Sequence, residues 1–152
     1  ARGSNASAPL MSKSDGGFAH EDGVGNRGYL FASTANVTTT DATVTLAKTA
    51  YGGNPWPISS GNVVGIHYDI VGRRTDGGGN AATYIQLDVL AANDAGTTRT
   101  VGSVLKTVVA RDNASTDANA AAVDSSDTVD VSVTGIAAQT YMWTVASRVV
   151  TR

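Results

Sequence analysis

Apolar side chains recur at every second position along much of this chain, a spacing that puts one face of an extended strand in a core. The clearest case lies in residues 63–92. Val64, Ile66, Tyr68 and Ile70 share one parity, with Gly65, His67 and Asp69 on the other. Further on, Ile85, Leu87 and Val89 alternate with Gln86, Asp88 and Leu90. Between the two runs, residues 75–80 are rich in Gly, Asp and Asn, which tolerate positive φ. The pattern predicts two strands folded back as a long antiparallel hairpin, around which the rest of the chain is organised.

Weaker patterns flank it. Tyr29 and Phe31 on one parity predict a short strand within residues 28–36, and alternating Thr predicts a second over 38–46. Residues 51–62 read as a loop, because Pro55 and Pro57 have no N–H to donate to a ladder. Residues 98–111 are β-rich, with Gly102 predicting a bulge where the parity changes. Asn and Asp among the alanines of 114–126 predict a weak strand between turns. Residues 128–134 alternate cleanly, Val129, Val131 and Val133 inward, Asp130 and Ser132 outward. The last run, 140–151, turns Tyr141, Trp143, Val145 and Val149 inward. No segment carries a capped helical stripe. About eight strands at this spacing predict an all-β fold, an antiparallel two-sheet β-sandwich, jelly-roll-like. The sandwich is expected over residues 28–152. Residues 1–27, polar and without period, are expected to be an N-terminal arm or linker.

Composition narrows the function classes. A length of 152 residues fits one domain, and 41% hydrophobic residues suffice for a core. Net charge is −2, so nothing here neutralises a phosphate backbone and no nucleic-acid partner is expected. There is no cysteine, hence neither a disulfide framework nor a thiolate metal site. No apolar run approaches the ~20 residues of a membrane-spanning helix, and no membrane insertion is expected. A start at Ala1, without Met or an apolar signal core, is what a fragment or processed product would show.

Candidate chemistry is sparse. Asp15, His20, Glu21 and Asp22 sit among glycines, but their spacing matches no metal-binding pattern and a solvated acidic loop accounts for them. The Gly-rich run at 75–80 lacks Gly-Lys-Ser/Thr and precedes no helix, so it is a turn and not a phosphate cradle. Asp112 with Asp117, and Asp124 with Asp127, lie in turn-like sequence where Asp bonds its own backbone. No Gly-x-Ser-x-Gly elbow occurs, and His67 on an outward parity reads as a surface or subunit-contact histidine. No enzyme activity and no cofactor are expected. Arg73 and Arg74, beside the turn, have Asp76 within reach. Trp143 belongs to the core. Trp56 stands between two prolines, and with Tyr51 and Asn54 it forms the candidate ligand-binding residues. Its indole either plugs the end of the sandwich or a neighbouring chain, or is presented as a flat platform of the kind sugars stack on.

From the hairpin onward, three runs stand out: GRRTDGGGNAATYIQLDVL, TVGSVLKTVVARD and DTVDVSVTGIAAQTYMWTVASRV. Together they resemble the C-terminal β-domain of bacteriophage tail fibres, tailspikes and related virion fibres. An arginine-bearing strand leads into an Asp/Gly turn and an aromatic-bearing strand; a Val-Gly-Ser-Val segment follows, then a Val-Thr-Gly turn and a Trp-bearing strand. Arg73, Arg74, Tyr84, Gly102, Gly135 and Trp143 occupy those places. The opening ARGSNASAP is similar to the link by which such fibres join a preceding shaft. The chain departs from the pattern in its Gly/Asp-rich stretch at 12–27 and its Pro-Trp-Pro loop. The resemblance covers roughly residues 63–151. It implies a homotrimer on a virion, in contact with other fibre or tail proteins, with a role in host attachment, through a cell-surface glycan, or in a non-receptor cap or decoration domain that drives assembly. It implies no cofactor.

Overall fold

The computed structural model describes residues 18–21, 27–47, 50–51, 54–55, 58, 60–79, 81–112, 117–123 and 128–151. Their regular structure is all strand: β1 (Phe18–Glu21), β2 (Arg27–Thr40), β3 (Val44–Ala47), β4 (Ala50–Tyr51), β5 (Asn54–Pro55), β6 (Val63–Arg74), β7 (Ala82–Asp94), β8 (Thr97–Thr100), β9 (Leu105–Arg111), β10 (Asp117–Val123), β11 (Thr128–Thr134) and β12 (Thr140–Thr151). The large sheet runs β1-β2-β12-β6-β7-β8, with β9 also paired to β7. A smaller sheet, β10-β11-β3, makes the second layer of an antiparallel β-sandwich, and β4 and β5 form a separate short ladder.

The predicted hairpin is β6 and β7, in register from Val63↔Ala92 to Arg73↔Ala82. Its turn carries Gly77 and Gly79 at positive φ. Asp76 fastens that turn: Oδ1 accepts from Arg74 Nε at 2.6 Å and from the Gly78 N–H at 3.1 Å, and Oδ2 accepts from the Thr140 N–H at 3.0 Å. The Arg74 bond, followed by the two backbone donors, holds this carboxylate at a pKa of about 2.

The core lies between the sheets. Val64, Ile66, Tyr68 and Ile70 are buried, as are Ile85, Leu87 and Val89 opposite them and Val129, Val131 and Val133 across the layer. Fully burying one such side chain stabilises the fold by ~1.5–3 kcal/mol. Two polar tips inside it are satisfied. Tyr68 donates its hydroxyl to the Val129 carbonyl at 3.2 Å, linking the layers, and Trp143 Nε1 donates to Thr39 Oγ1 at 2.9 Å. The Trp143 indole occupies the space left on its rung by Gly72, where an added Cβ would come within 2.6 Å of the ring. Buried Asn93 ties the segment before β6 to the β7–β8 turn, donating to the Ile58 carbonyl at 2.6 Å and accepting from the Gly96 N–H at 2.8 Å.

Several expectations are corrected. The two strands expected over 28–36 and 38–46 are divided elsewhere. β2 continues to Thr40 because its ladder with β12 is unbroken from Tyr29 to Thr40. The break comes at Asp41, with φ of 65°, whose Oδ1 accepts from the Ala138 N–H at 2.9 Å. Gly102 does not make a bulge: at φ of 73° it lies in the link between β8 and β9. The irregularity is in β9, where Tyr84↔Ala110 is followed by Ile85↔Val108 and Val109 is skipped. Asp130, expected to face solvent, is 5% exposed: its side of β11 is covered as well as the side that carries Val129, Val131 and Val133. The loop at 51–62 contains the β4–β5 ladder, with Tyr51↔Asn54 and Ala50↔Pro55. Apart from these corrections, Phe18–Glu21 pairs antiparallel with residues 27–30 of β2.

Candidate functional site

The outer face of the large sheet is built from the parity opposite to the core. Cross-strand register lines its residues up in rungs, since directly paired residues point to the same side. One rung runs Ala32, Arg148, His67, Asp88, Leu105 across β2, β12, β6, β7 and β9. The next runs Thr34, Ala146, Asp69, Gln86, Thr107. Four polar groups from three strands, His67 of β6, Tyr84 and Gln86 of β7 and Arg148 of β12, meet Asp69.

Asp69 is the hub. Its Oδ1 accepts from the Tyr84 hydroxyl at 2.6 Å and from Gln86 Nε2 at 2.9 Å, and faces His67 Nε2 at 3.3 Å; its Oδ2 accepts from an Arg148 guanidinium nitrogen at 3.3 Å. Gln86 Nε2 also lies 2.8 Å from the Tyr84 hydroxyl, which accepts from it. Partial burial pushes the Asp69 pKa up, but hydrogen bonds from Tyr84, Gln86 and His67 outweigh it and hold the group at about 2. The same Tyr84–Asp69 bond raises the Tyr84 pKa, so the phenol keeps its proton. On its other side His67 Nδ1 meets Asp88 Oδ1 at 2.6 Å. Both ring nitrogens thus face carboxylates, and either tautomer of the neutral ring donates to one of them only.

Beside this hub an open groove of about 610 Å³ is lined by Gly65, His67, Asp88, Leu90, Ser103 and Arg148, among others. Gly65 leaves open space beside Leu90, its partner on β7: a Cβ added there would meet nothing within 4 Å. One wall is the link between β8 and β9, tied down by the Val101 N–H to the Leu90 carbonyl at 2.7 Å. The charged groups remain available: the Arg148 side chain is 57% exposed and that of Asp88 52%, against 29% for Asp69 and 25% for His67. The half-buried pair orients the exposed pair. Ser103, His67 and Asp88 line one groove, but both His67 ring nitrogens face carboxylates, Asp88 and Asp69, which is not the arrangement of a nucleophilic triad.

A second feature is apolar. Leu105, Val108 and Val109 on β9 are 61%, 44% and 49% exposed, and Val44 and Leu46 on β3 are 67% and 50% exposed. Each strand is at an edge of its sheet among the described strands.

The expected binding residues fall elsewhere. The backbones of Tyr51 and Asn54 pair within the β4–β5 ladder. Trp56 lies outside the described residues, as do Asp15, Asp22, Asp124 and Asp127. Asp112, expected to bond its own turn, instead accepts through Oδ2 from the Ala82 N–H at 3.1 Å, at the start of β7 and 30 residues away. Arg74 pairs with Asp76 as its position suggested. The groove residues were passed over, although His67, Asp69, Gln86 and Asp88 form an unbroken polar parity on both hairpin strands. That was the available signal. Arg148 gave none, because its place beside His67 depends on strand order.

No protein-family model matches the chain, and no curated protein does. Among solved structures it is similar to the tailspike protein gp49 from Acinetobacter baumannii bacteriophage Fri1, a capsular polysaccharide depolymerase, at 15% sequence identity and a TM-score of 0.47, the match covering 87% of this chain and 19% of that one. The chain spans about a fifth of the length of that protein.

Proposed function

We propose that this chain is a domain of a bacteriophage virion fibre or spike that attaches the particle to the host surface. It acts as a homotrimer, alongside other fibre or tail proteins, and its receptor is a cell-surface glycan. The observation that carries the reading is the groove on the outer face of the large sheet. Its exposed Arg148 and Asp88 are held in place by the less exposed His67 and Asp69, on strands in continuous register. Preorganised donors and acceptors on a rigid sheet reduce the entropy lost on binding. The sequence resemblance to fibre and spike β-domains supports the same assignment. On this reading the groove binds without cutting: Asp69 is held ionised at about 2 and so is not the proton donor that hydrolysis of a glycosidic bond requires. Purified domain added before infection should compete with the parent phage for adsorption; undiminished adsorption with saturating domain would count against attachment.

A second reading is a structural cap or capsid decoration domain that trimerises without touching a receptor. The exposed apolar residues of β9 and β3 favour it, because a lone copy leaves them in water. Both readings expect a trimer by light scattering at micromolar concentration, with Leu105→Lys weakening it. Immunogold labelling of the parent particle separates them, at a distal fibre for the first and on the capsid for the second.

A further inference from the structure

We infer that the groove over Gly65 is a subsite for one uncharged, hydroxyl-rich sugar ring, with Asp88 and Arg148 as its polar contacts and Leu90 as its apolar floor. This rests on the attachment reading above and adds the place and chemistry of contact. The charge pattern selects the class of ligand. Arg148 is already engaged by Asp69, and a second carboxylate, Asp88, stands across His67 on the same rung. A strongly anionic ligand would meet both carboxylates. A neutral sugar meets no such penalty. The carboxylate of Asp88 accepts from two vicinal hydroxyls, the free guanidinium nitrogens of Arg148 donate to ring or hydroxyl oxygens, and the Ser103 hydroxyl does either. Leu90 is 46% exposed and offers apolar surface for the C–H face of the ring. A glycine inside a strand often marks a site where a ligand comes close to the backbone. Gly65 fits that role, since open space surrounds the position of its missing Cβ.

That open space also supplies the test. A Cβ at Gly65 meets nothing within 4 Å and valine suits a strand, so Gly65→Val should place its two methyl groups in the groove with folding retained. The wild-type chain, Gly65→Val, Asp88→Asn and Trp56→Ala are applied to arrays of neutral and acidic bacterial surface polysaccharides and to whole host cells. Amide chemical shifts are then followed with the best neutral oligosaccharide. The expected result is binding to a neutral polysaccharide, with shifts at Gly65, His67, Asp88 and Ser103. Asp88→Asn should weaken it about tenfold or more, the loss expected for a hydrogen bond to a charged group, and Gly65→Val should weaken it at least as much by occupying the place of the ring. Melting temperatures should stay unchanged. Binding that survives Gly65→Val but is lost in Trp56→Ala overturns the groove assignment and leaves host attachment standing. Binding to acidic polysaccharides alone overturns the choice of sugar. No binding to polysaccharide or to cells overturns both this inference and the attachment reading.

Discussion

The two faces of the β6–β7 hairpin alternate residue by residue along the same stretch of chain and obey different rules. Inward, Val64, Ile66, Ile70, Ile85, Leu87 and Val89 are interchangeable in kind: each contributes by being apolar and out of water. Outward, His67, Asp69, Tyr84, Gln86 and Asp88 contribute through who sits next to whom. A one-residue slip in register would exchange the two faces, so the buried face sets the arrangement of the polar one. The core therefore holds the groove residues in place, and the groove contributes little to holding the core together. That asymmetry is testable from either side.

The largest effect should come from the inward face. Trp143→Ala removes a fully buried indole and the bond to Thr39, and should destabilise by ~3–5 kcal/mol in denaturant titration. A loss below ~1 kcal/mol would mean that the indole is not packed as described. Next comes overpacking at the same place. Gly72→Ala puts a methyl group 2.6 Å from the Trp143 ring and should lose ~1–3 kcal/mol. The same substitution at Gly65, on the outer face, has room and should be close to neutral.

Two tyrosines sharpen the contrast within the core. Tyr68 donates to the Val129 carbonyl across the layers, and Tyr68→Phe should lose about 1 kcal/mol. The Tyr141 hydroxyl is buried with no partner among the described residues, so Tyr141→Phe should be neutral or slightly stabilising. Equal losses at the two sites would contradict the described packing.

The smallest effect should be at the outer hub. Asp69 titrates at about 2 in the folded protein against an ordinary value of 3.8. Its contribution to stability is therefore complete above that ordinary value and is lost as pH falls through about 2. Asp69→Asn should flatten the acid limb of a stability–pH curve while leaving neutral-pH stability little changed, because the group is partly solvent-exposed. Asp76, shifted the same way, keeps part of the acid limb in that variant. An unchanged acid limb would show that the hub does not hold Asp69 ionised.

Local pattern was enough to read much of this molecule. Period two identified both hairpin strands and their inward residues, residues 128–134 as a strand, and Trp143 as core. The Asp/Gly turn was legible because only a few residue types accept its backbone angles. Boundaries were less so: nothing in the composition of 28–46 distinguishes a stop at Asn36 from one at Thr40, and pairing with β12 decided it. The bulge in β9 could not be read from Gly102, since a bulge is a mismatch between two strands and β7 was the other one. Asp130 was misplaced for a related reason. Alternation reports which side of a strand a residue takes, and not what else covers that side.

The candidate site divides along the same line. Sequence alone determined that this is an antiparallel β-sandwich with a long hairpin, and that one parity of that hairpin is polar, because strand formation and burial follow from neighbours one and two residues away. Only the tertiary structure decided that β12 lies against β6, so that Arg148 joins His67 and Asp88 on one rung and reaches Asp69 from a position 79 residues further along the chain. It also decided that the β8–β9 link walls a groove above Gly65. Strand order is a property of the packed whole, set by which buried faces match across the sandwich, and no short stretch of sequence encodes it.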